Sequence, residues 1–341
     1  MFPEKIVYPV FLPHAGCPFQ CVYCNQHAVV SPRLNETDIH ETVKSGLRAH
    51  SHHVLTSGRP GEVAFYGGTF TALGRTVIES VLSQAAVPVS RGIFTGIRFS
   101  TRPDCLDQEI SGLLSKYPVR TIELGVQSLS DFVLLKSRRG YCARTAENCA
   151  KRVRRHGWKL GIQLMAGLPG DTQEVFLESI RKAIGIGPDF IRIYPTLVLD
   201  GTALAGSFKK GDYAPLSLDE AVSWLALAYD LTVNAGIPVI RMGLQPDAAL
   251  ERPGVILGGP YHPAFGCLVK SRWWRDRVDR HLAGLLKTLG GEIMLLVPPD
   301  HVGDAVGHRK SNLSHWMNRW GVRLKVAGDC ALKGNEMVII D

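Results

Sequence analysis

The feature that most constrains this chain is an alternation of short strand-like runs with amphipathic helix-like runs, which continues through its first two-thirds. The strand candidates are rich in β-branched and aromatic residues, and most show little apolar–polar alternation, as in strands buried on both faces. They are Ile6–Leu12, Val63–Tyr66, Gly96–Ser100, Thr121–Val126, Leu160–Met165, Phe190–Tyr194 and Pro238–Met242. The helix candidates are Thr37–Ala49, Arg75–Ala85, Cys105–Lys116, Ala143–His156, Thr172–Ile184 and Ser217–Ala235. The pattern predicts an α/β fold, a partial (β/α)6-type parallel barrel with its helices outside.

Turn-forming and polar residues follow five of the predicted strands. They are Gly67-Gly68-Thr69-Phe70, Thr101-Arg102-Pro103, Gln127-Ser128, Gly167-Leu168-Pro169-Gly170 and Pro195-Thr196. Glycine and proline also punctuate ordinary loops. Functional groups of a parallel barrel gather at the carboxyl ends of its strands, so five such loops at one end indicate a site there.

The chain is long enough for a large domain and a small one. Its 341 residues include a turn-rich run from Pro246 to Gly266 that contains four glycines and four prolines. A run of this kind is typical of an active-site cover or a domain boundary. We therefore expect a barrel over 1–245, a linker or cover over 246–290, and a small α+β module over 291–341.

Composition and charge narrow the class of protein. Apolar residues make up 45% and charged residues 21%, which is ordinary for a globular protein. The apolar runs fall short of the ~20 residues that span a bilayer, so we expect a cytoplasmic protein without a membrane partner. The net charge is +8, and 131–159 holds nine Lys and Arg against two acidic residues. This excess indicates either a polyanionic partner such as nucleic acid or a solvated helix face.

Three of the eight cysteines lie close together, directly after the first predicted strand. Cys17, Cys21 and Cys24 have the spacing Cys-x3-Cys-x2-Cys. Three thiolates can hold three irons of a cubane iron–sulfur cluster and leave the fourth iron open for a substrate. A zinc site completed by His14 or His27 is the alternative. The remaining cysteines are interpreted as small buried residues.

The cysteine loop, with Tyr23 before its last cysteine, resembles the cluster motif of the radical S-adenosylmethionine (SAM) superfamily. Further segments resemble the radical SAM domain of the Elongator catalytic subunit, a tRNA-modifying protein. They are Gly67-Gly68-Thr69, Thr101-Arg102-Pro103-Asp104, Glu123-Leu-Gly-Val-Gln-Ser128 and Tyr194-Pro-Thr-Leu-Val198 with Gly201-Thr202. Ser100 stands where that subfamily carries an acidic residue, and the cysteine loop is shorter. Gly167-Leu-Pro-Gly170 and Gly125-Val-Gln-Ser128 are also similar to the oxygen-independent coproporphyrinogen III oxidase branch.

The resemblance implies a radical SAM enzyme with two cofactors, a [4Fe–4S] cluster and SAM. Metal ligands would be Cys17, Cys21 and Cys24. SAM contacts would come from Tyr23, Gly67, Gly68, Thr69, Ser100, Arg102, Gln127 and Gln163. Glycines let backbone approach the methionine end of SAM, and the planar guanidinium of Arg102 matches a carboxylate. Arg102 before proline also suits a helix start, and Gln163 suits a buried strand position.

The C-terminal segment has the predicted order strand, helix, turn, helix, strand, strand. Val306-Gly-His-Arg-Lys-Ser-Asn-Leu313 and Gly321-Val-Arg-Leu-Lys-Val326 resemble a KH-type RNA-binding module, with Lys310 in place of the second glycine of its Gly-x-x-Gly loop. A small cap that closes the barrel is the alternative.

These features favour RNA, and specifically tRNA, as the substrate, together with an electron donor. A small metabolite or tetrapyrrole is the second possibility. A non-catalytic RNA-binding protein with a structural metal site is the third.

Overall fold

The computed structural model describes residues 6–12, 17, 20–24, 35–285 and 292–340. Its strands are β1 Val7–Phe11, β2 Glu62–Tyr66, β3 Gly96–Thr101, β4 Val119–Gln127, β5 Lys159–Ala166, β6 Phe190–Pro195, β7 Val198–Leu199, β8 Val239–Met242, β9 Ile256–Gly258, β10 Glu292–Val297, β11 Arg323–Gly328 and β12 Val338–Ile340. Its α-helices are α1 Glu36–Ser57, α2 Arg75–Ser90, α3 Gln108–Leu114, α4 Asp131–Lys136, α5 Ala143–Arg155, α6 Gln173–Ile186, α7 Ala203–Lys210, α8 Leu218–Asn234, α9 Phe265–Leu285, α10 Val302–Val306 and α11 Ser311–Trp320.

Seven strands form one parallel sheet in the order β1-β2-β3-β4-β5-β6-β8. Every neighbouring pair is parallel, and the helices cover one face. The result is a half-barrel, with β1 and β8 as the edge strands of the described sheet. The predicted partial barrel is confirmed, and each strand predicted in this region is present.

The two faces of the sheet differ in polarity. Phe65, Phe99, Ile122 and Ile162 point toward the helices and are buried in the main core. The residues that alternate with them along each strand, such as Arg98 next to Phe99, face the concave side. The concave face of β2 to β4 is also largely buried, as predicted, but several of its side chains are polar rather than apolar. The alternation is visible in β2, Glu-Val-Ala-Phe-Tyr, but the shortness of each run hides it.

The C-terminal residues form a separate three-stranded sheet in the order β11-β10-β12. β10 is parallel to β11 and antiparallel to β12, and α10 and α11 lie between β10 and β11 in the chain. The predicted small α+β extension is confirmed in its order of elements. Its likeness to a KH module stays a prediction.

The segment predicted as a linker or cover, 246–290, differs from that expectation. It contains α9, a helix of 21 residues whose Trp273, Trp274, Val278 and Leu282 are buried against the core. The turn-rich part before it adds β9, which pairs with β7. Because α9 contacts both α8 and the C-terminal helices, it joins the two sheets rather than separating them. The domain boundaries at 245 and 290 stay predictions. None of the described helices is both long enough and apolar enough to cross a bilayer.

Asn312 on α11 connects this helix to α9 and α10 by hydrogen bonds. Its side chain is buried, and its Nδ2 donates to the carbonyl oxygens of Ser271 at 2.9 Å and Ala305 at 3.0 Å. Replacement by alanine leaves both buried carbonyls without this donor. We expect Asn312→Ala to lower the free energy of unfolding in urea by about 1–3 kcal/mol. The exposed Ser314→Ala on the same helix should change it by less than about 0.5 kcal/mol. Equal effects of the two variants would contradict this role.

Candidate active site

The cysteine loop is fixed to three parts of the carboxyl end of the half-barrel. Cys17 Sγ lies 3.1 Å from Thr69 Oγ1, directly after β2. The amide of Val22 donates to the Ser137 carbonyl at 3.3 Å, and the Val22 carbonyl accepts from Leu204 of α7 at 2.8 Å. These contacts hold the loop over the ends of β2 and β4, where the sequence places its other candidate residues.

The sulfur of Cys21 faces two arginines. Arg139 Nη1 lies 3.1 Å from Cys21 Sγ, and Arg102 Nη1 lies 3.7 Å away. Arg102 is also bound in a two-pronged ion pair to Asp104, with Nε–Oδ1 at 3.0 Å and Nη2–Oδ2 at 2.8 Å. Arg102, which the sequence predicts as a SAM contact, thus lies beside the cysteine loop. The guanidinium of Arg102, however, already binds the carboxylate of Asp104.

Arg139 is a site residue that the sequence analysis did not single out. Its side chain is 4% exposed, and Nη2 donates to the Gly125 carbonyl at 2.6 Å. Nη1 lies 3.2 Å from the Tyr23 hydroxyl, and Nη2 lies 2.9 Å from that of Tyr141. These partners are a thiol, two phenols and a carbonyl, and none is a carboxylate. A buried guanidinium is costly without an anion, so this arrangement fits an anionic ligand beside Cys21.

Gln127 ends β4 in the left-handed region, with φ +70°. Its side chain folds back over Gly125: Nε2 lies 3.0 Å from the place that a Cβ on Gly125 would occupy. Its Oε1 is buried and has no hydrogen-bond partner among the described residues. A buried acceptor without a partner costs free energy, so a donor on a ligand would satisfy it. Gln127 therefore lies where the sequence predicts a cofactor contact.

Gly67 and Tyr23 also take part in the local structure. Gly67 has φ +109°, and a Cβ there would lie 3.0 Å from the Leu12 carbonyl oxygen, so glycine is required where the chain leaves β2. Gly68 and the buried Thr69 follow it. Tyr23 packs against the cluster of Val198, Leu204 and neighbours. Burial is the main cause that raises the pKa of its phenol.

A charged network that the sequence analysis missed crosses the concave face. Glu123 of β4 accepts from the Tyr66 hydroxyl at 2.6 Å and from Arg98 Nε at 2.6 Å, and Arg192 Nε lies 2.8 Å from its other oxygen. Arg192 also reaches the Tyr194 hydroxyl at 3.4 Å. Burial and the neighbouring carboxylate raise the pKa of Tyr66. The network makes the floor of the half-barrel polar and rigid.

A second part of the network lies toward the amino ends of the strands. Arg98 Nη1 is 3.5 Å from Glu62, which also accepts from Thr121 at 2.8 Å. Gly161 leaves space for the Glu123 side chain and the Phe190 ring. A Cβ at this position would lie 2.4 Å from the Phe190 ring and 3.1 Å from Glu123 Cγ. The alternation of these polar residues with apolar ones in β2, β3, β4 and β6 is the signal that could have found them.

Two further predicted residues lie on this concave face. Ser100 is on β3, paired in register with Glu123, and Gln163 is on β5 between Gly125 and Arg192. Both side chains are half-buried. The structure thus places them beside the network rather than in the group of contacts around the cysteines.

The donor set suits an iron–sulfur cluster with an organic ligand better than a closed metal site. Cys17 contacts Thr69, Cys21 contacts the buried cation Arg139, and the amide oxygen of Gln127 at the end of β4 is unsatisfied. Among the described residues, no three His, Cys, Asp or Glu side chains converge as a preformed metal site. His14 and His27, the ligands of the zinc alternative, lie outside the described residues.

Comparison with known proteins agrees with this chemistry. Residues 11–183 match the Radical SAM superfamily, and residues 188–275 match the Radical_SAM C-terminal domain. The chain is 26% identical over 204 residues to protein YhcC of Escherichia coli, which covers 59% of this chain and 63% of YhcC. It is 34% identical over 133 residues to the tRNA uridine(34) acetyltransferase of Methanocaldococcus infernus, covering 38% of this chain and 24% of that protein.

Two solved structures share the fold. Elp3 of M. infernus matches with a TM-score of 0.58 at 20% identity over 82% of this chain and 63% of the other. Coproporphyrinogen III oxidase of E. coli matches with a TM-score of 0.50 at 18% identity over 69% of this chain and 54% of the other. The chain belongs to the radical SAM superfamily. It is a radical SAM enzyme, and its cofactors are a [4Fe–4S] cluster and SAM.

Glu123 provides a test of the charged network. Glu123→Ala leaves Arg98 and Arg192 buried without their shared carboxylate, and we expect it to lower the free energy of unfolding by about 3–5 kcal/mol. Tyr66→Phe removes the phenolic hydrogen bond to this carboxylate and the longer contact with Arg192 but leaves the ion pairs in place, so we expect a loss of about 1.5–3 kcal/mol. Urea unfolding of the two variants measures both. A loss below about 1 kcal/mol for Glu123→Ala would show that the network does not stabilise the fold.

Asp171 provides a pH-dependent test of the loop after β5. Burial raises its pKa to about 7, although hydrogen bonds from backbone amides such as that of Gly167 oppose the rise. The folded state therefore holds a proton that the unfolded chain releases near pH ~4, and stability falls as pH rises toward about 7. Between about pH 5 and about pH 8, the wild type should lose roughly 1–3 kcal/mol more than Asp171→Asn. The exposed Asp212→Asn should behave as the wild type does, and parallel pH curves for all three proteins would refute the assignment.

Proposed function

We propose that this radical SAM enzyme modifies RNA, and specifically tRNA. The observation that carries the proposal is the likeness to the tRNA uridine(34) acetyltransferase, at 34% identity over 133 residues. The fold shared with Elp3 and the small α+β region after the barrel are consistent with it. A tRNA substrate would place the enzyme in the cytoplasm, with an electron donor as a further partner.

We propose Cys17, Cys21 and Cys24 as the cluster ligands. Their loop is held against β2, the segment after α4, and α7, so the sulfurs lie at the carboxyl ends of the strands. The two guanidinium groups beside Cys21 would offset the negative charge of a cluster held by thiolates. When bound, SAM and a cluster reduced by one electron from the donor would together supply the chemistry for abstraction of a hydrogen atom from the substrate.

We propose that Arg139, rather than Arg102, meets the carboxylate of SAM. Arg102 already binds Asp104 through both prongs of its guanidinium, whereas the described partners of Arg139 include no carboxylate. Arg102 then acts as a support, because it donates to the carbonyl of Arg139. In this proposal Arg139 takes the contact with the SAM carboxylate that the sequence assigns to Arg102.

The remaining predicted SAM contacts keep their assignments in this proposal. Gly67, Gly68 and Thr69 would present backbone and a hydroxyl next to Cys17, and Gln127 would accept a hydrogen bond through its buried Oε1. Tyr23 would line the site from the loop itself. Ser100 and Gln163 would contact the cofactor from the concave face.

The experiment measures release of 5′-deoxyadenosine. The protein is reconstituted anaerobically with iron and sulfide, reduced with dithionite, and given SAM with and without total tRNA. We expect release by the wild type, stimulation by tRNA, and at least about a hundred-fold loss in Cys17→Ala, Cys21→Ala or Cys24→Ala because the cluster lacks a ligand. Cys142→Ala, an exposed cysteine outside the loop, is the matched control and should release as much as the wild type.

Two outcomes would contradict the proposal. Release that no RNA stimulates, but that a metabolite extract does, would favour a small-molecule or tetrapyrrole substrate. RNA binding by a protein that keeps its cluster yet releases no 5′-deoxyadenosine under any condition would favour a non-catalytic RNA-binding protein.

A further inference from the structure

The basic residues of the segment 131–159 separate into two groups in the fold. Lys136 and Arg138 are exposed at the carboxyl end of β4, beside the active site. Lys151 and Arg155 are exposed on α5, which runs back along the outside toward the start of β5. Nearby α5 arginines serve the fold, since Arg152 donates to the Leu106 carbonyl. The charge excess is therefore not one continuous surface.

The group beside the active site also exposes apolar side chains. Phe132 is 56% exposed and Leu135 is 76% exposed, both on the short helix α4. Lys136 Nζ lies 5.5 Å from the centroid of the Phe132 ring. We name these residues, Phe132, Leu135, Lys136 and Arg138, the rim patch. Neighbouring exposed apolar side chains of this kind, rimmed by polar residues, can mark an interaction site.

The Phe132 ring lies close to the loop that follows β5. A Cβ on Gly170 would lie 2.6 Å from Phe132 Cε1, so the ring rests against the backbone of the loop that follows β5. Gly170 has φ +79° and allows this close approach. The ring is thus held in place while more than half of the side chain remains open to solvent. A flat surface of this kind suits the stacking of a base.

The rim patch is continuous with the cysteine loop. Ser137, between its two cations, accepts the amide hydrogen bond of Val22, and Arg139 directly after it contacts Cys21. A substrate strand held at the rim patch would therefore lie within a few residues of the cluster site. Asp131, the acidic residue of this segment, is engaged by the amide of Ala143 at 2.7 Å.

The charges on the other side of α4 limit where a polyanion can run. A groove of about 580 Å³ there is lined by Asp131, Glu174 and Glu178 together with Arg181 and Lys182. Its three carboxylates outnumber its two cations, and Arg181 is paired with Glu178 at 3.3 Å, so the groove offers phosphate no net attraction, whereas Lys136 and Arg138 would attract it. The favourable path for a negatively charged strand leads over Phe132 toward the cysteine loop.

We propose that the rim patch is the docking site for an unpaired segment of the RNA substrate. Phe132 stacks on a base, Leu135 extends the apolar contact, and Lys136 and Arg138 bind flanking phosphates. A nucleotide must leave its helical stack before it can enter a half-barrel, and an exposed ring with cations at the entrance favours that state. This inference rests on the proposed RNA substrate and adds the surface and the single-stranded form that the enzyme recognises.

The test measures binding of a fluorescein-labelled single-stranded RNA to the reconstituted full chain by anisotropy, at several salt concentrations. We expect Phe132→Ala to weaken binding about five-fold or more, and Phe132→Trp to restore it, because stacking needs an aromatic ring. Lys136→Ala/Arg138→Ala should reduce the slope of log affinity against log salt by about 1.4, the value for two phosphate contacts on a single strand. Duplex RNA of the same sequence should bind more weakly than the single strand.

Matched controls come from exposed residues elsewhere in the chain. Lys151→Ala/Arg155→Ala removes two cations on α5 and should leave the salt slope unchanged. Leu55→Ala removes a leucine of α1 that is as exposed as Leu135 and should leave the affinity unchanged. Thermal melting of every variant confirms that the fold is retained.

The outcomes separate this inference from the proposed function. If the wild type binds no RNA, the RNA substrate itself is wrong. If it binds RNA and the rim-patch variants bind equally well, only the docking site is wrong. If those variants bind RNA normally but are reduced more slowly by an acidic flavoprotein, and not by dithionite, the rim patch receives a protein electron donor and the inference is overturned.

Discussion

The contact on which the site depends is the buried guanidinium of Arg139. It joins the cysteine loop, through Cys21 and Tyr23, to the end of β4, through the Gly125 carbonyl. Arg139 itself lies on the segment after α4, so its side chain holds three separate parts of the chain together. Its positive charge is almost inaccessible to water. A buried charge is costly unless an anion shares its environment, and in the proposed site a thiolate-bound cluster and the carboxylate of SAM would supply one. Cofactor binding and the local fold are thus two aspects of one electrostatic requirement.

A network of buried ion pairs on the concave face of the sheet lies next to the site. Glu62, Arg98, Glu123 and Arg192 alternate acid and base across the concave face, so the buried charges balance. A half-barrel cannot fill its interior with apolar side chains and still admit a substrate. A neutral ladder of ion pairs solves this problem, because it gives a polar floor without an excess of either charge. The glycine at 161 is what lets the partners approach.

The strand–helix alternation was sufficient to predict the half-barrel, because each apolar run is short and each helix has a clear apolar side. The C-terminal elements were predicted for the same reason. Helix α9 was missed because the glycine- and proline-rich run before it suggested that the linker continued. The polar floor was missed because each strand contributes only one to three inward side chains. Their partners come from other strands, so the short alternation within one strand does not show which charges pair.

Within the site, spacing identified the cysteines, whereas the choice between the two arginines required the structure. Thr101-Arg102-Pro103 follows a strand directly and is conspicuous in the sequence. Arg139 lies in a basic segment and looks like surface charge, yet it is buried and is the nearer of the two arginines to the Cys21 sulfur. Only the positive φ of Arg138 and the turn after α4 bring it inward.

The most direct test of this account is electron paramagnetic resonance of the reduced, reconstituted protein with and without SAM. Three cysteine ligands leave one iron of a [4Fe–4S] cluster open, so the account predicts a four-iron signal that changes shape when SAM is added. It also predicts that Arg139→Leu keeps the iron content but weakens this response to SAM. A cluster signal that SAM leaves unchanged, or tightly bound zinc in place of iron, would contradict the account.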